Sequence, residues 1–418
     1  MRSLDDLDVR GRRVLVRVDF NVPLGTGPDG AVIVADDTRI RAALPTIEEL
    51  RAHGARLVLV SHLGRPHGHV EPELSLVPIV ARLCKLTDAH VALAPGGVGP
   101  EIRELAESLG DGEILVLENV RFEPGETAND PDFARSLAEL ADIYVNDAFG
   151  AAHRAHASTE GVAHLLPSAA GRLLEHEVKT LTTMLDHPSR PLVAVLGGAK
   201  VADKIAVIDR FLSVADAILI GGAMCFPFLA AEGHAIGASL CEPEDIEHAR
   251  QALVRATDCL PRPERQALAA SPGDAPRAAR LCLPRDLVIG QTLSADSPTR
   301  VLTGVEVPAG WMGLDIGPAT AALYGEEIAE AGSVFWNGPM GAFELAPFAA
   351  GTRAVAQAVA HAPGATVVGG GDSAAALVQF GVASSVDYVS TGGGATLELI
   401  EGRTLPGLAA LDGAGVAR

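Results

Sequence analysis

The sequence predicts an α/β protein of two doubly wound domains, each with a parallel sheet between helix layers (three-layer αβα), joined by an interdomain helix and hinge. Three observations predict it. Short apolar runs rich in Val, Ile and Leu recur without alternation, as expected of strands covered on both faces. Each run ends in a loop and leads into a helix-like stretch, the βα repeat of a doubly wound sheet. The runs form two series along 418 residues, enough for two cores of about 200 residues each.

The first series is RVLVRVDF, RLVLVSH, EILVLEN and DIYVNDAF. Between its first two members lies GTGPDG, Gly25 to Gly30, which formally matches a dinucleotide fingerprint. It contains Pro28 and precedes the strand-like AVIV, whereas a real fingerprint opens a helix, so it reads as a turn. LLEHEVKTLTTMLDHP then places Leu173, Leu174, Val178, Leu181 and Leu185 at helical spacing. Prolines at 188 and 191 end that helix and mark the expected division. Residues 1–188 form the first domain, with the tail from about 405–418 packing back on it, and 189–404 form the second. The second series is PLVAVLGG, DAILIGGA, MGLDIG, SVFWNG and TVVGGG. Cys259 to Arg280 is rich in Pro, Ala and Arg and reads as a surface insertion, 259–280.

Composition narrows the function. Apolar residues make up 48% of the chain, charged residues 21%, and the net charge is −20. Such a surface repels nucleic acid and anionic membrane, so neither is an expected partner, and any anion site must be a local basic pocket. The five cysteines form no CxxC pair and read as reduced thiols, not a disulfide frame or a zinc site. The N-terminus is charged from the start and no apolar run is long enough to span a bilayer, so the expectation is a cytoplasmic protein without a secretory signal.

Ligands of open parallel sheets bind beyond the carboxyl ends of the strands. In the first half those ends carry Arg17, Asp19 and Asn21, then His62 and Arg65, then Arg121, then Asn146 and Asp147, followed by His153, Arg154 and His156. Arg39 joins them from DDTRI. One arginine alone pairs with a surface carboxylate; four or five together in so acidic a chain point to a small, multiply anionic ligand. Asp19 reads either as a hydroxyl ligand or as a residue that orients Arg17. The histidines lack a companion set of metal ligands.

The second-half ends carry glycines, which admit phosphate or a flat base close to backbone N–H groups. Lys200 and Lys204 in LGGAKVADKI are four apart and fit one helix face at its N-terminus, a polyphosphate site. In ATVVGGGDSAAAL, Asp372 and Ser373 follow a glycine cradle. They suit Mg²⁺ held with phosphates, or simply cap the helix. Glu344 reads as a ribose acceptor or a solvated carboxylate, and Trp336 as packing. A Mg-nucleotide holder and an anion holder in one chain suggest phosphoryl transfer, which needs positioning and charge neutralisation more than covalent chemistry. No general base stands beside the arginines, as fits an already ionised carboxylate nucleophile.

VLVRVDFNVPL, SHLGRP, LENVRF, VNDAFGAAHRAHAS, LGGAKVADKI, WNGPMGAFE, GGGDS and STGGGATLELIEGRTLPG closely resemble phosphoglycerate kinase, in that family's order from Val14 to Gly407. The resemblance implies a monomeric, two-lobed hinge enzyme. It would transfer phosphate reversibly between 1,3-bisphosphoglycerate and ADP, giving 3-phosphoglycerate and ATP, with Mg²⁺. It assigns Asp19, Asn21, Arg39, His62, Leu63, Gly64, Arg65, Arg121 and Arg154 to the phosphoglycerate. Gly198, Ala199, Lys200, Lys204, Gly221, Gly222, Gly313, Asn337, Pro339, Glu344, Gly369, Gly370, Gly371, Asp372 and Ser373 go to the nucleotide, with Asp372 engaging Mg²⁺. Arg39, Lys200, Gly370 and Gly371 would stabilise the moving phosphoryl group. The chain departs from the family pattern at Ala223 and Pro227 in GGAMCFPF, at Tyr388 where histidine is common, at Ser373 where threonine is common, and in the insertion. Two other readings share the fold: a paralogue phosphorylating another small carboxylate, and a non-catalytic binding or scaffold protein.

Overall fold

The computed structural model describes residues 1–199, 204–258 and 279–413. The chain divides into two compact units: Met1–Thr180 together with the segment from Arg403, and Leu181–Gly402. The division falls inside one helix, Arg172–Asp186. Leu174, Leu181 and Leu185 of that helix are buried, so the apolar spacing in the sequence is its packing stripe.

Unit 1 contains β1 (Arg13–Arg17), β2 (Leu24–Thr26), β3 (Val32–Val34), β4 (Arg56–Val60), β5 (Val91–Leu93), β6 (Ile114–Val116), β7 (Ile143–Asn146) and β8 (Ser168–Ala170). Six of them form a parallel sheet in the order β5-β6-β4-β1-β7-β8. Val16 lies beside Leu59 on one side and Val145 on the other, all three fully buried, which is why these strands read as unbroken apolar runs. From β1 the chain moves out through β4 to the edge strand β5, steps back to β6, and then crosses to β7 on the opposite side of β1. This reversal creates the crevice where doubly wound sheets bind ligands. β2 and β3 form an antiparallel hairpin, and GTGPDG supplies the end of β2 and the turn, which is closed by the Gly30 amide donating to the Gly27 carbonyl at 3.0 Å. The helix Pro406–Gly413 also belongs to this unit: the Gly407 amide donates to the Ala152 carbonyl at 2.9 Å.

Unit 2 contains β9 (Leu192–Leu196), β10 (Ala217–Ile220), β11 (Thr257–Asp258), β12 (Arg280–Cys282), β13 (Leu287–Gly290), β14 (Thr299–Leu302), β15 (Met312–Ile316), β16 (Ser333–Asn337), β17 (Ala365–Gly369) and β18 (Tyr388–Val389). Seven make a sheet ordered β11-β12-β10-β9-β16-β17-β18, with parallel pairings throughout. Its order reverses between β9 and β16. Here three readings of the sequence are corrected. MGLDIG is β15, but it lies in a separate antiparallel sheet, β14-β13-β15. Met312 and Leu314 are half-buried while Gly313 and Asp315 are buried, an alternation too short to separate from a fully covered strand. Arg280 is not insertion but β12, and its guanidinium pairs with the buried Glu327 at 2.9 Å. Residues 259–278 of the expected insertion lie outside the described residues. Cys282 is disulfide-bonded, whereas Cys84, Cys225 and Cys241 are free thiols.

Candidate functional site

The unit 1 site is built where β1, β4 and β7 end. Arg17, the last residue of β1, is fully buried. Its Nε donates to Ser158 Oγ at 2.9 Å, another guanidinium nitrogen meets His62 Nδ1 at 3.0 Å, and a third donates to the Val18 carbonyl. Asp19 does not orient Arg17. Its carboxylate pairs with Arg39, in the first turn of the helix Thr38–Ala52, at 3.1 Å, and accepts from the Asn21 amide at 3.2 Å. Asn21 Oδ1 then accepts from the Gly64 amide at 3.0 Å, and the Gly64 carbonyl accepts from Arg121 at 2.7 Å. Leu63 is held by Asn119, which takes its amide at 3.2 Å and donates to its carbonyl at 2.7 Å. Arg154 is half-buried and donates to His153 Nε2 at 3.1 Å. Arg65 is exposed.

The cations crowd one another. Burial first, then the charges of Arg17, Arg121, Arg39 and Arg154, hold the His62 pKa well below the ordinary histidine value. Burial and the charges of Arg17 and Arg154 pull Arg121 down to about 10. Arg121 is buried, and its Nε has no hydrogen-bond partner. Behind Arg17 stands Glu126, fully buried, accepting from the Ser158 hydroxyl at 2.7 Å and amide at 2.9 Å, with His156 at 3.5 Å. Burial alone would raise the Glu126 carboxyl, but the hydrogen bonds from His156 and Ser158 and the Arg17 charge outweigh it and lower it. Two other strand-end residues are structural. Asn146 bonds the backbone of Ala148 and Thr159. Asp147 is buried at the start of the helix Arg172–Asp186, where Oδ1 accepts from the Leu173 and Leu174 amides at 2.9 and 3.2 Å.

In unit 2 the ends of β9, β10 and β16 meet backbone to backbone. The Gly198 amide donates to the Pro339 carbonyl and the Gly222 amide to the Met340 carbonyl, both at 3.0 Å. A Cβ on Gly338 would lie 2.2 Å from the Gly197 carbonyl oxygen, so no larger residue fits between these strand ends. Lys204 spans the reversal point: its ammonium donates to the carbonyls of Gly197 and of Asn337, the latter at 3.0 Å. Lys204 is the residue before the helix Ile205–Val214, not a member of its face. Lys200 lies outside the described residues. Gly221 follows β10 directly, and its amide donates to the Leu196 carbonyl at 2.9 Å.

β17 ends at Gly369 and the helix Gly371–Gln379 begins two residues later. Its N-cap is Gly370, at φ +89°, with no side-chain cap. Neither Asp372 nor Ser373 caps the helix. Asp372 stands in the first turn, and the buried Ser373 hydroxyl accepts from the Gly338 amide at 2.6 Å. Trp336 is fully buried and donates to the Gly338 carbonyl, a packing role.

A cavity of about 510 Å³ opens beside these loops. Of the residues singled out in the sequence it gathers Gly198, Ala199, Gly222, Gly313, Pro339, Glu344 and Asp372, together with Ala223. Much of its remaining wall is apolar, with Phe226, Leu240, Leu293, Met312 and Met340 among it. Sequence reasoning missed these, and it missed Asp315, a buried lining residue that accepts from the Gly351 amide at 2.7 Å. An apolar residue at a cavity wall carries the same sequence signal as one in a core.

A family model described as phosphoglycerate kinase matches residues 4–403. The chain belongs to the phosphoglycerate kinase family. It is 52% identical to the phosphoglycerate kinase of Roseiflexus castenholzii, over 99% of each chain, and 53% identical to that of Moorella thermoacetica, over 98% of each. The solved phosphoglycerate kinase of Coxiella burnetii superposes with a TM-score of 0.81 at 39% identity, covering 98% of each chain. That of Pyrococcus horikoshii gives 0.79 at 29% identity, covering 99% of this chain and 98% of the other. With the family comes the activity: the chain is a kinase, and no observation favours a paralogous substrate or a scaffold. Among the described residues no helix is long and apolar enough to cross a membrane.

Proposed function

We propose that the chain phosphorylates 3-phosphoglycerate from ATP, reversibly, with unit 1 holding the phosphoglycerate and unit 2 the Mg-nucleotide. The observation that carries the first half is the unpartnered Nε of buried Arg121 among Arg17, Arg39 and Arg154. A buried donor without a partner is costly, and cations crowded together repel; a multiply charged anion relieves both. Arg39, Arg65, Arg121 and Arg154 meet the anionic groups. Asp19, Asn21 and His62 meet the hydroxyl and remaining oxygens, and the backbone of Leu63 and Gly64, bonded to Asn119, Asn21 and Arg121, braces them.

In unit 2 the apolar wall takes the base and Glu344 the ribose. Gly198, Ala199, Lys200, Lys204, Gly221, Gly222, Asn337, Pro339 and Ser373 form and brace the phosphate side. The first amides of the helix Gly371–Gln379 have no carbonyl within the helix. With the backbone at Gly369, Gly370 and Gly371 they offer donors and a partial positive charge to phosphate. Mg²⁺ fits here: Asp372 lines the cavity, and this ion takes one or two carboxylates with phosphate oxygens completing its shell. When bound it neutralises charge on the phosphates. The nucleophile is the substrate carboxylate, ionised at neutral pH without a base. Arg39, Lys200 and the Gly370–Gly371 backbone stabilise the charge on the transferring group.

A coupled assay of 3-phosphoglycerate with ATP and with GTP, with and without Mg²⁺, tests the reading. Mg²⁺-dependent turnover on 3-phosphoglycerate is the expected result, and its absence on folded protein would sink it.

A further inference from the structure

We propose that Arg17 is a positioning residue for this reaction: it holds His62 as a neutral imidazole with its proton on Nε2, a fixed donor to the bound phosphoglycerate. A guanidinium has five N–H donors and no acceptor. Its 3.0 Å contact with His62 Nδ1 therefore requires a lone pair on Nδ1, which leaves the single ring proton on Nε2. Both side chains are buried, so water does not compete for Nδ1. Arg17 cannot turn away easily, because Nε is tied to Ser158 Oγ at 2.9 Å and Ser158 to Glu126 at 2.7 Å.

The groups facing His62 act together. Arg17 follows along β1, Arg39 comes from the helix Thr38–Ala52, Arg121 from the turn Val120–Phe122, and Arg154 from the loop after β7. All four oppose a cationic imidazole. Asp19, 3.9 Å from Nδ1, favours one, but it is already paired with Arg39 at 3.1 Å. His62 thus donates without changing charge where an ordinary histidine titrates, and the anion site keeps a constant charge there.

The proposal rests on the reading of unit 1 as the phosphoglycerate site, and the test separates the two. The whole protein is labelled with ¹⁵N-histidine, with His62 assigned by its loss in His62→Gln. Wild type should show the Nε2–H tautomer and no titration between about pH 5.5 and 7.5. In Arg17→Met the Nδ1 lone pair loses its donor, so the Nε2–H form should give way to a mixture of the two neutral tautomers. The ratio of the variant's KM for 3-phosphoglycerate to that of wild type should then be raised several-fold throughout that window, while KM for ATP holds. Comparing the ratio removes the substrate's own phosphate titration. Arg17→Lys, which keeps a donor, should restore the tautomer. An Nδ1–H tautomer or a titrating His62 in wild type overturns the proposal, and so does a Met variant that behaves as wild type. If Arg17→Met fails to fold, Arg17→Gln, which keeps a side-chain N–H donor without the charge, decides: it should keep the Nε2–H tautomer, and loss of that tautomer overturns the proposal. If 3-phosphoglycerate leaves the His62 resonances unmoved while the tautomer is as stated, the substrate assignment fails and the Arg17–His62 link stands.

Discussion

At the residue scale, the shape of the donor matters more than its charge. Arg121 has one guanidinium nitrogen committed to the Gly64 carbonyl and a buried Nε without a partner. Lysine would keep the charge but lose the planar fork. Arg121→Lys should weaken 3-phosphoglycerate binding by about tenfold or more, the scale of one lost charge-assisted hydrogen bond, and leave KM for ATP nearly unchanged. Calorimetric titration of the variant and of wild type checks this, and equal affinities would remove Arg121 from the ligand set. Lys200→Ala should act differently, lowering kcat far more than it weakens 3-phosphoglycerate binding, because its charge counts most in the transition state. Equal losses would contradict that role. The arginines were legible because strand ends can be read from apolar runs. Asn119, Glu126 and Ser158 were not: each is a common polar residue whose role depends on neighbours far away in sequence, as when Asn119 donates to the carbonyls of Leu63 and Leu74.

At the scale of elements, the same physics explains which parts could be read. β1, β4, β9 and β16 are five-residue apolar strands buried along almost their whole length, and their pattern is plain. β5 and β8 are three residues each, VAL and SAA, too short and too small to show a period. The helix Arg172–Asp186 was legible from its leucines, but its start was not, since the cap comes from Asp147, distant in the chain. That cap titrates. Burial pushes the Asp147 carboxyl up to about 7, against the hydrogen bonds that lower it. The unfolded carboxyl titrates near 3.9, so from about pH 4 to 7 the native state binds more protons and stability falls as pH rises. Asn keeps the Oδ1 acceptor and does not titrate. The Tm of Asp147→Asn relative to wild type should therefore rise between pH 5 and pH 8. Parallel Tm profiles would mean that Asp147 is ionised throughout.

At the scale of the whole molecule, two series of βα runs announced two sheets, and each sheet carries its own order reversal. The excess acidity, −20 overall, made the cationic residues of unit 1 stand out as a site rather than as ordinary surface. What remained illegible was long-range: the antiparallel sheet of β13, β14 and β15, and the bond at Cys282, both set by pairings that no local pattern records. If each unit holds its own substrate, each ligand should stabilise its own unit. A ligand at 100 times its Kd adds about 2.7 kcal/mol to the state that binds it, enough to slow exchange of amides that open with that unit by about 100-fold. In hydrogen exchange on the full chain, 3-phosphoglycerate alone should protect peptides over Arg17–Arg65 and Asn119–Ser158. MgADP alone should protect Gly221–Phe226, Asn337–Glu344 and Gly369–Ser373. Because exchange reports each segment separately, the result does not depend on turnover. Nucleotide protection confined to the arginine segments, or 3-phosphoglycerate protection confined to the glycine loops, would reverse the assignment of substrates to units.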